Sequence, residues 1–285
     1  MQHDTVFVLV HGSWQGAWCF GQVSARLGQR GYRVIAPDLP GHGLLARFPA
    51  SYFARPLPLP GAFNVEPSPV AHVTLADYVQ HIASTIEAVT RAGSRVMLVG
   101  HSLAGIVLNA IGEQFGPPRI KRLVYVAAWM PAHNTPIGAY VAGPSQADSR
   151  IPPLLLADPE QVGALRLDPH SADPSYQAQV KAALYADVGE DDVPAIANLL
   201  TPDDPAQPFG AVVTLSRERW GRLPRTYITC TEDQAIRPAT QAQMIAEADA
   251  FAPGNPTHVI PLASGHSPFF SQPDALADHL AAMAE

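Results

Sequence analysis

The stretch that most constrains the fold is residues 96–111, where a short apolar run turns abruptly into a helical pattern. Val96-Met97-Leu98-Val99-Gly100 shows no polar alternation, as expected of a strand covered on both faces. Ile106, Val107, Ala110 and Ile111 then recur at helical spacing. Five more strand candidates share the short β-rich character: Val6–Val10, Arg33–Pro37, Leu123–Ala127, Thr226–Cys230 and His258–Pro261. Four of the six are near-continuous apolar runs. Helical patterns separate them at Cys19–Arg30, Thr74–Ala92, Leu103–Phe115, Pro238–Ala250 and Pro273–Ala284. In Thr74–Ala92 the apolar face is Leu75, Tyr78, Val79, Ile82, Ile86 and Val89, and Thr74 with Asp77 resembles a capping box. Strands alternating with helices predict a mostly parallel sheet of about six strands with right-handed crossovers.

The alternation stops twice. Residues 44–73 hold Pro49, Pro56, Pro58, Pro60, Pro67 and Pro69 and show neither period, and connections this long are functional or disordered. We expect this stretch to lie over a pocket entrance. Residues 130–223 carry short helical stretches broken by Pro, at Gln161–Leu167, Ser175–Asp187 and Val193–Leu200. They read as a cap inserted into one core made of residues 1–129 and 224–285.

Composition narrows the partners. A formal charge of −7 and no Lys/Arg stripe disfavour nucleic acid and an anionic membrane surface. No apolar run is long enough to span a bilayer, and the N-terminus shows no basic region followed by an apolar one, so a soluble, cytoplasmic protein is expected. Cys19 and Cys230 fit neither a disulfide framework nor a metal site and read as small apolar side chains. No metal-ligand spacing is present.

Four motifs carry chemistry. Gly100-His101-Ser102-Leu103-Ala104 puts a serine on a tight strand-to-helix turn, with Ala104 where such elbows usually have Gly. The helix that follows offers free N–H groups and the positive end of its dipole beside Ser102. At the end of the first strand, Val10-His11-Gly12-Ser13 offers a second backbone donor. Acyl transfer needs two donors aimed at the developing oxyanion, and the N–H groups of Ser13 and Leu103 are the candidates. The acid follows the fifth strand, in Cys230-Thr231-Glu232-Asp233, with Asp233 first and Glu232 as alternative. His266, in Ser264-Gly265-His266-Ser267-Pro268, follows the last strand. The order serine, acid, histidine suits a triad on such a sheet. Trp129, just past the fourth strand, and Trp14, in the first motif, are candidate pocket walls. His11, His101 and His42 belong to turns and read as packing residues.

The chain resembles the plant methylesterase and hydroxynitrile lyase branch of the α/β-hydrolases, together with its bacterial relatives. The shared segments are FVLVHGSWQGAW, APDLPGHG, VGHSLAG, LVYVAAWMP, ANLLTP, RERWGRLPRTYITCTEDQAI and ASGHSPFFSQP. The resemblance implies the α/β-hydrolase fold with a helical cap over an apolar pocket, Asp233 as the triad acid, and no cofactor. The lyases of this branch carry Thr after the first-motif histidine and Lys after the catalytic one, where this chain has Gly12 and Ser267. The leading expectation is therefore a serine carboxylesterase acting on a small to medium hydrophobic ester, and a homodimer is compatible with it. Lactone or C–C bond hydrolysis, secondary-metabolite modification and a non-catalytic small-molecule receptor are the other readings on the same fold.

Overall fold

The computed structural model describes residues 4–57, 60–91 and 93–284. Met1–His3, Pro58 and Ala92, to which the sequence assigned an N-terminal lead-in, one proline of the Pro-rich stretch and the end of a helix, lie outside the described residues. The core strands are β1 (Thr5–Val10), β2 (Arg33–Ile35), β3 (Arg95–His101) and β4 (Ile120–Val126). Beyond the inserted strands β5 (Ala164–Arg166) and β6 (Asp203–Pro205) come β7 (Arg225–Cys230) and β8 (His258–Leu262). The core strands form one sheet in the order β2-β1-β3-β4-β7-β8, with every neighbouring pair parallel.

The continuous apolar runs have a simple cause. Phe7 and Leu9 of β1 join Met97 and Val99 of β3 on one face, while Val8 and Val10 join Val96 and Leu98 on the other. Helices Gly21–Gln29 and Pro273–Ala282 cover the first face; Leu75–Thr90, Ala104–Phe115 and Pro238–Phe251 cover the second. With both faces covered, alternation has no solvent side to mark. The edges differ: β8 runs largely exposed, and β2 ends at Ile35, two residues before the expected Pro37.

The segment between β4 and β7 has its own small core of Leu154, Leu167, Val180, Leu184, Tyr185, Ile196 and Leu200, with Trp14 packed into it. The helical reading of Gln161–Leu167 is corrected. Helix Pro159–Val162 stops at Gly163, which takes a left-handed conformation (φ 75°), and Ala164–Arg166 then pairs antiparallel with Asp203–Pro205. A second correction concerns residues 44–73. Among the described residues none of this stretch lines the central cavity; the stretch packs along the flank of the insertion. There Arg166 is fully buried and forms a two-pronged pair with Asp203 at 2.6 and 2.7 Å. Its remaining nitrogen donates to the carbonyls of Phe63 and Glu66, and Ser68 N–H donates to Val162 O.

Candidate active site

Ser102 sits at the turn from β3 into helix Ala104–Phe115 with φ +51°, a conformation rarely adopted by a residue with a side chain. The cost is of order 1–3 kcal/mol and has to be met by the surrounding packing. Packing here is tight. The carbonyl of Ser102 accepts hydrogen bonds from Gly105 N–H (3.1 Å) and Trp129 N–H (2.9 Å), fastening the elbow to the end of β4. A Cβ on Gly105 would come within 1.9 Å of the Trp129 carbonyl oxygen, so the close approach needs glycine one position later than the usual motif places it. Ala104 is accommodated, fully buried.

Asp233 and His266 meet as expected. His266 Nδ1 lies 2.8 Å from Asp233 Oδ2, with Asp233 fully buried and His266 nearly so. The other carboxylate oxygen, Oδ1, accepts the backbone N–H groups of Ala235 (2.7 Å) and Ile236 (3.0 Å). Glu232 is exposed, and among the described residues the carboxylate bonded to His266 is that of Asp233. The His266 loop is held from two sides. His101 Nε2 donates to the His266 carbonyl at 2.8 Å, and Ser264 Oγ donates to Asp187 Oδ2 of the insertion at 2.8 Å.

Three buried histidines shape the frame. Burial, helped by the facing His42, brings His11 down to about 3, so its ring is neutral. Nε2 accepts the Leu39 N–H (2.9 Å), which leaves the proton on Nδ1 to be donated to the Gly12 carbonyl (2.8 Å). His11 thus ties the loop carrying Ser13 to the loop after β2. Burial, and next the neighbouring His266, holds His101 well below the usual histidine range. His42 is fully buried 2.8 Å from Asp204 of the insertion. All three are packing residues, as the sequence suggested.

Ser13, Trp14, Ser102, Trp129 and His266 open onto one cavity of about 650 Å³. The N–H groups of Ser13 and Leu103 donate to no acceptor among the described residues; Ser13 lines the cavity, and Leu103, fully buried, follows Ser102 in the elbow. Trp14, itself at φ +59°, donates from Nε1 to Leu165 O of the insertion and forms part of the cavity wall. Leu155, Leu165, Leu184, Ile151, Val141 and Phe209 make the outer wall largely apolar. Leu154 and Leu200 instead sit in the insertion's own core, and Leu199 faces solvent. No Lys or Arg is among the described residues lining the cavity.

The sequence reading missed the residues that hold the acid turn. Gln146, from the insertion, donates to Ala235 O and accepts from Arg237 N–H (3.0 Å) and Thr240 Oγ (2.8 Å). Gln241 is fully buried and bonds the acid turn from the core side. One signal was readable for Gln241: it shares the buried stripe of its helix with Met244 and Ala248, where a polar residue needs partners.

A model of the alpha/beta hydrolase family matches residues 7–279 of the chain. The chain belongs to the alpha/beta hydrolase family. A pyrethroid hydrolase of Sphingobium wenxiniae is 27% identical over 282 residues, covering 99% of this chain and 88% of the relative. Methylesterase 9 of Arabidopsis thaliana is 27% identical over 288 residues, covering 98% of both. Among solved structures, a pyrethroid hydrolase from Sphingobium faniae superimposes with a TM-score of 0.75 at 23% identity, over 98% of this chain and 97% of that one. The family expectation and the alpha/beta hydrolase fold are thereby borne out, plant methylesterases included. No helix among the described residues is long and apolar enough to cross a membrane.

Proposed function

We propose that this alpha/beta hydrolase is a serine carboxylesterase acting on neutral hydrophobic esters. The observation that carries the reading is the His266–Asp233 bond at the wall of the cavity onto which the strained Ser102 opens. With Nδ1–H committed to Asp233, the other ring nitrogen of His266 is free to take the Ser102 proton. Ser102 Oγ attacks the ester carbonyl, the N–H groups of Ser13 and Leu103 receive the oxyanion, and the alkoxide leaves with the proton from His266. Water then repeats the sequence on the acyl-enzyme and releases the acid.

The cavity argues for the substrate class. Its apolar outer wall favours a hydrophobic ester of small to medium size, and the segment 130–223 acts as the cap over it. With no Lys or Arg among the described lining residues, there is no fixed cation for a substrate carboxylate or a departing cyanide, which argues against lyase chemistry. Ser267, where the lyases have Lys, is fully buried. The names of the relatives, hydrolases and esterases, agree with this reading.

The test is covalent labelling. A fluorophosphonate should add to the Ser102 peptide, and mass spectrometry should find that peptide unlabelled in Ser102→Ala. Labelling at another serine, or equal labelling of the variant, would overturn the assignment.

A further inference from the structure

We infer that Gln241 is a positioning residue that sets the charge and orientation of the Asp233 carboxylate against His266. The inference rests on the esterase reading for its consequence in turnover, though the interaction itself is independent of any substrate.

Gln241 is fully buried on helix Pro238–Phe251 and lines no part of the substrate cavity. Its Oε1 accepts the Cys230 N–H at 3.1 Å, which fixes the amide against the end of β7. Its Nε2 then reaches Ile236 O at 2.8 Å and Asp233 Oδ2 at 3.2 Å, with Cys230 O at 3.3 Å. The side chain therefore spans the whole turn from Cys230 to Ile236. Asp233 Oδ2 receives two donors, His266 Nδ1 at 2.8 Å and Gln241 Nε2, while Oδ1 is taken by two backbone amides. The carboxylate plane cannot rotate without breaking one of these bonds.

The electrostatic consequence has a definite sign. An N–H bonded to a carboxylate draws charge from the oxygen it contacts, and in a buried site that charge is otherwise available to the histidine. Gln241 thus limits how strongly Asp233 stabilises the protonated ring. Removing the donor leaves Oδ2 to His266 alone and favours the imidazolium. The other groups facing the pair are the neutral His101 ring on β3, 4.6 Å from His266, Asp187, bonded to Ser264 in the His266 loop, and the Arg237 guanidinium, which donates to the Asp233 backbone carbonyl at 3.0 Å. Tyr227 and Cys230 lie beside Asp233, both kept un-ionised chiefly by burial. A substitution at Gln241 alters none of these charges.

The experiment compares wild type with Gln241→Met and Gln241→Leu, two variants of different shape that both lack the donor. The pH midpoint of the His266 ring signals is followed by NMR, alongside kcat/KM for p-nitrophenyl butyrate. The expected result is a midpoint raised by roughly half to one pH unit. The acid limb of kcat/KM should move up with it, and KM should stay unchanged. A lowered Tm with an unmoved midpoint in either folded variant would overturn the inference, since a purely structural glutamine would do just that. The two readings fail separately: a midpoint shifted in the variants, with a wild type that turns over no ester, sinks the esterase reading alone. Ester turnover with an unmoved midpoint sinks the role of Gln241 alone.

Discussion

Gly12 and Ser102 face each other so closely that a Cβ on Gly12 would lie 2.7 Å from the Ser102 Cβ. The same methyl would come within 2.8 Å of His101 Nδ1, so it cannot be relieved by tilting away from the serine. The first-strand loop and the elbow are thus fitted to each other through a missing side chain, and this contact sets the spacing of the two proposed oxyanion donors.

Gly12→Ala should therefore damage catalysis more than folding. Displacing one donor costs roughly a hundredfold in kcat in sites of this kind. Steady-state kinetics should show that loss in kcat with KM changed little, and circular dichroism should show a folded protein. Wild-type kcat in a folded Gly12→Ala would contradict the account of this contact.

The Arg166–Asp203 pair offers a stability prediction. Both side chains are buried, and Arg166 also holds the carbonyls of Phe63 and Glu66. Arg166→Met leaves the Asp203 carboxylate buried without its cation and should cost about 3–5 kcal/mol in urea denaturation. Pairing it with Asp203→Leu should recover much of that loss. Equal destabilisation by the double variant would mean that the anchoring of residues 63–66, not the buried charge, dominates.

This pair also shows where the sequence stopped being legible. The core was readable because each of its parts has a local signature: continuous apolar runs for covered strands, helical spacing between them, and small-residue turns carrying Ser102, Asp233 and His266. Arg166 and Asp203 have no such signature, being 37 residues apart and brought together only by the β5–β6 ladder. The Pro-rich stretch was equally opaque. Its place against the flank of the insertion depends on the reach of Arg166 and on the backbone bond from Ser68 to Val162, neither of which leaves a periodic trace. Residues 161–167 misled because Val162 and Leu165 lie three residues apart, as on a helix face, while the left-handed Gly163 breaks the helix between them and Leu165 and Leu167 alternate as in a strand.

Acid should destabilise the fold through the two buried rings. An unfolded histidine takes a proton near pH 6.5. Folded His11 does so only at about 3, and His101 is also held well below its usual range. Between these limits the unfolded chain binds the extra protons, so stability is full above about pH 7 and falls as pH drops from 6.5 toward 3. Each ring contributes a slope of up to about 1.4 kcal/mol per pH unit. Urea midpoints measured from pH 7.5 to 4 should show the decline, and His11→Gln should flatten it. A decline of the same slope in the variant would remove His11 from the explanation.

Pocket size should follow the apolar wall. Leu155 lines the cavity, so Leu155→Trp should fill part of it and reduce the octanoate-to-butyrate rate ratio by roughly tenfold. Leu199→Trp, at an exposed position, should leave the ratio unchanged.

The most direct test of the central claim is hydrolysis of p-nitrophenyl esters, from acetate to octanoate, by wild type and Ser102→Ala. The account predicts turnover by wild type, with a chain-length optimum set by the cavity, and a loss of several orders of magnitude in the variant. Activity in Ser102→Ala within about tenfold of wild type, or no turnover of any ester by wild type, would contradict it.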